Sequence, residues 1–141
     1  MSEPTDDRYI LIVEDSPEDF EITMRCMNRV GFDIPVKRCV DGDEALEFLA
    51  GAKVKPRMIL LDLNLPGMDG RDVLQRVKND ARLKSVPVLV LTTSSNDYDI
   101  QTCYNIGVNA YLRKASEFSD FVEMTRSMKD FWFGCAALPN E

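Results

Sequence analysis

The residues of this chain best equipped for chemistry are Glu14, Asp15, Asp62, Thr92, Thr93 and Lys114, and each follows a short apolar segment. Ile10-Leu11-Ile12-Val13 leads into Glu14 and Asp15, Met58-Ile59-Leu60-Leu61 into Asp62, and Val88-Leu89-Val90-Leu91 into Thr92 and Thr93, while Lys114 ends the segment that begins at Ala110. Carboxylates brought together repel and raise one another's pKa unless a cation lies between them, and a cluster of hard oxygen donors suits Mg²⁺, one ion for such a site. Acids, a divalent ion, a hydroxyl and an ammonium form a site for phosphoryl transfer onto a carboxylate. The cations offset charge on the equatorial oxygens while the carboxylate attacks in line, and Asp62 is the candidate nucleophile. The chain contains no histidine, so imidazole acid/base catalysis or a phosphohistidine must come from a partner. Cys26, Cys39, Cys103 and Cys135 are widely spaced without a C-x-x-C pair, which reads as reduced, mostly buried thiols rather than a zinc or redox site.

That chemistry requires the apolar runs to lie side by side. Continuous runs of four apolar residues suit strands covered on both faces of a parallel sheet, and Val36 to Val40 and Ala110 to Arg113 read as two weaker strands nearer the sheet edges. Amphipathic stretches alternate with them. Ser16 can cap a helix opened by Pro17, with Asp19 completing a capping box, Phe20, Met24 and Met27 at helical spacing, and Gly31 as the stop. Asp41 with Glu44 opens a second helix ending near Gly51, and Asp69 or Gly70 opens a third with Val73, Leu74 and Val77 inward. A fourth runs from about Asn96 to Ile106, and a fifth from Ser116 to about Phe133. Five strand-helix repeats with right-handed crossovers predict an α/β fold with a doubly wound, five-stranded parallel sheet, for which the flavodoxin-like order 2-1-3-4-5 is the common solution. Ligands in such a sheet bind beyond the carboxyl ends of the strands, where the order reverses, here between the first and third strands.

A chain of 141 residues has room for one well-buried core, expected over 9–133, with 1–8 and 134–141 as tails. The net charge of −7 disfavours nucleic acid and anionic membranes as partners, since each phosphate contact needs Lys or Arg. With neither a secretory leader nor a membrane-spanning stretch to read, the expected location is the cytoplasm. No output domain is expected after the fifth helix, so output should go through protein contact.

Val13-Glu14-Asp15-Ser16, the run Leu61-Asp62-Leu63-Asn64-Leu65-Pro66-Gly67-Met68-Asp69-Gly70, Val90-Leu91-Thr92-Thr93 and Tyr111-Leu112-Arg113-Lys114 together resemble the receiver domains of two-component response regulators. The resemblance covers nearly the whole chain. It implies a phosphoacceptor signalling protein rather than an enzyme, with Asp62 as the acceptor and a histidine kinase as the donor. Glu14, Asp15, Asp62 and the backbone carbonyl of Asn64 would hold Mg²⁺, directly or through water. Lys114 would pair with the phosphoryl group, Thr92 would be the switch hydroxyl, the Thr93 backbone N–H a further donor, and Tyr111 the aromatic whose rotamer follows the switch. Family members usually carry proline after the lysine, joined by a cis bond. This chain has Ala115, which leaves the bond's geometry open.

Glu14-Asp15-Ser16-Pro17-Glu18-Asp19, the Val88 to Ser95 run and the Phe131-Trp132-Phe133 ending resemble more narrowly the small regulators paired with phytochrome-type histidine kinases. In the fifth helix Phe118, Val122 and Thr125 can form an inward face, while Phe121, Met124, Met128, Phe131 and Trp132 supply more apolar surface than one stripe needs. A homodimer through the fourth and fifth helices and the fifth strand would cover it. Rival readings fare less well. The acids after the first strand would repel a flavin phosphate, and a haloacid-dehalogenase-type phosphatase would carry Asp where Asn64 stands. The runner-up is a receiver-like binding module that works without phosphorylation.

Overall fold

A computed structural model describes residues 8–139. Five strands, β1 (Ile10–Val13), β2 (Val36–Cys39), β3 (Met58–Leu61), β4 (Val88–Thr92) and β5 (Ala110–Arg113), alternate with five helices, α1 (Pro17–Arg29), α2 (Gly42–Gly51), α3 (Gly70–Asn79), α4 (Asp97–Ile106) and α5 (Phe118–Lys129). All strand pairs are parallel, in the order β2-β1-β3-β4-β5. The expected architecture and switch point are therefore present, with β1 and β3 adjacent in the sheet centre.

Successive side chains of a strand point to opposite faces, so each apolar run feeds two cores. Leu11, Val13, Ile59, Leu61, Val88 and Val90 pack with Ala45, Leu49, Val73, Leu74, Val77 and Cys103 from α2, α3 and α4. Ile10, Ile12, Met58, Leu60, Leu89 and Leu91 pack with Cys26, Met27, Phe121, Val122 and Met128 from α1 and α5. Each fully buried aliphatic side chain contributes roughly 1.5–3 kcal/mol relative to exposure, which makes this sheet a rigid support for its carboxyl ends.

Helix starts follow local capping chemistry. The side chains of Ser16, Asp41, Asp69 and Asn96 accept the backbone N–H of Asp19, Glu44, Arg71 and Tyr98 respectively. Gly31, just past α1, takes φ +70, the left-handed conformation that glycine adopts without a Cβ penalty.

Several inward faces differ from the pattern reading. In α1 the buried residues are Thr23, Cys26 and Met27, while Phe20 and Met24 are only half-buried. Thr23 can face inward because its hydroxyl donates to the Asp19 carbonyl (3.1 Å). The fifth helix starts at Phe118 rather than Ser116 and gives way at Asp130 to a π-helical turn, Asp130–Cys135. Gly134 and Cys135 thus belong to that turn, and Leu138 beyond it is buried, so ordered structure extends past Phe133. Of the expected tail of residues 1–8, residues 1–7 lie outside the described residues. Phe118, expected inward, is exposed beneath the guanidiniums of Arg25 and Arg29 (5.5 and 5.9 Å). Phe121 and Met128, expected to serve a partner, are instead buried in the chain's own core, because α5 turns them toward β4 and α1. Met124 and Trp132 stay half-buried, and Phe131 is 54% exposed. No described peptide bond is cis, Lys114-Ala115 included.

Candidate functional site

Three strand ends and the loop after β5 converge on one crevice. Glu14 leaves β1 with its N–H donating to the Cys39 carbonyl, and Asp62 leaves β3 with its N–H donating to the Val13 carbonyl. Both side chains are buried, whereas Asp15 stays exposed at the rim. Carboxylate oxygens of Glu14, Asp15 and Asp62 lie within 4.8 Å of one another. The loop holding Asp62 closes over the start of α3, where the Gly70 N–H donates to the Leu63 carbonyl (3.0 Å).

Lys114 enters this acidic pocket from the far side. Its backbone N–H donates to the Thr92 carbonyl (2.7 Å), and its ammonium donates to Asp19 Oδ2 (2.8 Å), Glu14 Oε1 (2.9 Å) and Asp62 Oδ2 (3.1 Å). Three N–H donors meet three carboxylates, so the ammonium is fully engaged. Burial works against its charge, yet the hydrogen bonds it donates to Asp19 and Glu14 and the charge of Asp62 outweigh it and hold the Lys114 pKa above its ordinary value. Burial pushes the Glu14 carboxyl up, with Lys114 pulling the other way.

Two donors organise the acids further. Asn64 N–H donates to Asp62 Oδ1 (3.1 Å), which leaves Asp62 Oδ2 toward Lys114. Arg38, which is paired in the sheet with Ile12, donates from Nε and Nη2 to the Glu14 carbonyl (3.1 and 3.0 Å) and lies over the Phe20 ring (4.9 Å). It thereby pins the turn that carries both acids of β1.

Thr92, at the end of β4, is fully buried, and its hydroxyl oxygen accepts from Ser94 N–H (3.4 Å) and Asn64 Nδ2 (3.5 Å). Thr93 follows it on the exposed loop. Tyr111 on β5 donates its hydroxyl to the Ser94 carbonyl (3.0 Å), and Ser94 donates its own hydroxyl to Asp99 (2.7 Å). The loop between β4 and α4 is therefore tied to the hydroxyl at the crevice on one side and to the aromatic on the other.

The crevice brings together Glu14, Asp15, Asp62, Asn64, Thr92 and Lys114, with Tyr111 reached through Ser94. Sequence reading missed Arg38 and Asp19 as members. Arg38 sits on an edge strand where a basic residue carries no distinctive signal. Spacing assigns Asp19 to the helix cap, but the Ser16 N–H that a capping box would offer it is taken by Glu14 Oε2 (3.2 Å). Its carboxylate is free to turn to Lys114.

The donor set fits a small, hard divalent cation: three carboxylates at one opening, one of them exposed and able to meet a hydrated ion. The thiols do not suggest a competing site. All four cysteines are free, Cys26, Cys39 and Cys103 are buried, and burial pushes the Cys39 thiol up to about 11.

Comparison with known proteins agrees with the geometry. The family model described as the response regulator receiver domain matches residues 10–126. The chain is 40% identical to the "Probable methanogenesis regulatory protein FilR2" of Methanothrix harundinacea, with 94% of this chain and 88% of the relative covered. It is 37% identical to response regulator Rcp1 of Synechocystis sp., covering 94% and 93% of the two chains. The crystal structure of the phosphorylated cyanobacterial phytochrome response regulator RcpA superposes with a TM-score of 0.87 at 37% identity, covering 94% of this chain and 98% of that one. A structure of Rcp1 in its Mn²⁺-bound form gives 0.84 at 38% identity, covering 93% and 98%. With the sheet order, the acidic crevice and the family match in agreement, this chain belongs to the response regulator receiver domain family and is a signalling protein of the two-component type.

Proposed function

We propose that Asp62 is the phosphoacceptor, charged by a phytochrome-type histidine kinase, and that Glu14, Asp15, Asp62 and the Asn64 carbonyl hold one Mg²⁺. The carrying observation is the position of Asp62: a buried carboxylate between the Asn64 N–H and the Lys114 ammonium, within reach of two further acids. An Asp62 oxygen attacks phosphorus, the bond to the donor histidine nitrogen breaks, and an acyl phosphate forms on Asp62. When bound, the divalent cation neutralises charge on the transferred group. Lys114 contributes N–H donors on the opposite side, and Thr92 and the Thr93 N–H supply the remaining ones. Thr92 and Tyr111 both bond to Ser94, so movement of the hydroxyl toward the acyl phosphate disturbs the Tyr111 contact and the surface beside α4. Names of relatives such as RcpA support the phytochrome-type donor. Phosphotransfer from a kinase domain and the free cysteines fit the cytoplasm. On mixing with a phosphohistidine-bearing kinase domain of that class, label passes to the wild-type chain and none to Asp62→Asn. Equal labelling of the two proteins would overturn the assignment.

The reading extends to a homodimer. Leu112, Met124, Phe131 and Trp132 line a groove of about 370 Å³ along β5 and α5, and the exposed Phe131 ring makes a 5.2 Å edge contact with Trp132. A second copy laid against this face would cover it, and aromatic anchors dominate such interfaces at about 2 kcal/mol or more each. Phe131→Glu should therefore weaken dimerisation by roughly 30-fold or more, read by light scattering over a concentration series. A wild type that stays monomeric throughout, with or without phosphate, removes the dimer from the account.

A further inference from the structure

Asp19 is the one acid at Lys114 to which neither the family resemblance nor the clustering of acids at the strand ends gives a role. It lies in the first turn of α1, its backbone N–H bonded to Ser16 Oγ (3.1 Å) and its side chain 40% exposed. Because Glu14 occupies the Ser16 N–H and Ser16 Oγ donates to Glu18 (3.3 Å), nothing in the cap engages the Asp19 carboxylate. It reaches instead to the ammonium, where its 2.8 Å contact is the shortest of the three.

The consequence is a competition for donors. Lys114 has three N–H groups, all committed to carboxylates, and a phosphoryl group on Asp62 needs at least one of them. Glu14 and Asp62 are buried and held by backbone donors, namely Ser16 N–H and Asn64 N–H. Asp19 is more exposed, so water can take its place beside that carboxylate at low cost. Its bond to Lys114 is therefore the one to be released. Its negative charge also lies 2.8 Å from the ammonium that the incoming anion must engage, and repels that anion.

Resting on the assignment of Asp62 as phosphoacceptor, we propose that Asp19 is a positioning residue that restrains phosphoryl uptake by holding Lys114 toward α1, and so sets how readily the switch is charged. The restraint also shortens the life of the acyl phosphate, since Asp19 competes for Lys114 throughout it.

The test uses the full-length chain with Mg²⁺ and beryllofluoride, a phosphoryl mimic, and in parallel a small phosphodonor. Asp19→Asn keeps the side-chain volume and the Ser16 cap while removing the charge. The expected result is roughly three- to tenfold tighter beryllofluoride binding and a similarly longer-lived acyl phosphate, as loss of one nearby like charge implies. Asp19→Glu, which restores the charge, should return both toward wild type. An independent readout is the Lys114 ammonium resonance, expected to exchange faster with water in Asp19→Asn. Affinity and lifetime equal to or below wild type in Asp19→Asn would overturn the restraint. If the wild type itself takes neither ligand, the assignment of Asp62 fails instead, and the two failures are told apart by that control.

Discussion

Adding a single methyl group at Gly70 should be among the most damaging small changes available to this protein. A Cβ there would stand 2.4 Å from the Asp62 carbonyl oxygen and 2.5 Å from Leu63 Cα, both backbone atoms that cannot rotate aside. Gly70 is the first residue of α3, and its N–H already bonds Leu63, so helix start and phosphoacceptor loop are in direct contact. Replacing glycine by alanine inside a helix normally gains up to about 1 kcal/mol, but overpacking against fixed backbone costs about 3 kcal/mol, so the clash wins. Gly70→Ala is expected to lose about 2 kcal/mol or more in urea unfolding with an unchanged m-value. Any molecule that does fold should also carry a displaced Asp62 and take up phosphoryl groups poorly. Stability equal to wild type would mean that the loop has slack that the close approach does not reveal.

Lys114→Ala should produce a second large effect, of electrostatic origin. The ammonium and its partners Glu14 and Asp62 keep 9%, 6% and 7% of their side-chain surface exposed, so water cannot replace the lost charge. Removing one member of a buried ionic group typically costs about 3 kcal/mol, because the remaining charges are left uncompensated. Two further dependences separate this from a packing defect. Burial raises the folded-state Glu14 pKa, and without Lys114 the chief opposing influence disappears. An acid with a raised folded-state pKa makes the native state bind more protons than the unfolded one, so stability falls as pH rises through that window. The deficit of Lys114→Ala in metal-free buffer should accordingly be smaller at pH 5 than at pH 7. Added Mg²⁺ should stabilise the variant, and by more than it stabilises wild type, with about 2.7 kcal/mol available at a hundredfold excess over the dissociation constant. A deficit insensitive to both pH and Mg²⁺ would point to lost packing of the lysine stem.

Much of this was legible before any coordinates. The three apolar runs are the three central strands to the residue or nearly so, because a strand buried on both faces has no choice but continuous hydrophobicity. The starts of the first four helices were equally readable, since Ser16, Asp41, Asp69 and Asn96 cap through chemistry confined to a few residues, whereas α5 has no side-chain cap to mark its start. Which face of a helix turns inward was harder. Apolar type pointed to Phe20 and Phe118, whereas Thr23 and Cys26 take the inner face of α1 and the two rings lie near its arginines and Arg38. The same ambiguity assigned Phe121 and Met128 to a partner when the chain's own sheet covers them.

Within the site, the residues at strand ends could be placed because the sheet order fixes them. Asp19 and Arg38 could not, since their roles depend on distances across elements. Arg38 reaches the turn after β1 only because β2 is the neighbouring strand, and Asp19 reaches Lys114 only because a competing acceptor occupies the Ser16 N–H. Spacing in a sequence records what a side chain could do locally. It does not record which of two available partners wins.

The central claim, that Asp62 accepts a phosphoryl group in this acidic crevice, is met most directly by incubating the chain with Mg²⁺ and a small phosphodonor and recording the intact mass. The wild type should gain the mass of one phosphoryl group and Asp62→Asn should gain none; a wild type that gains nothing, or an Asp62→Asn variant that gains the same mass, would contradict phosphorylation at Asp62.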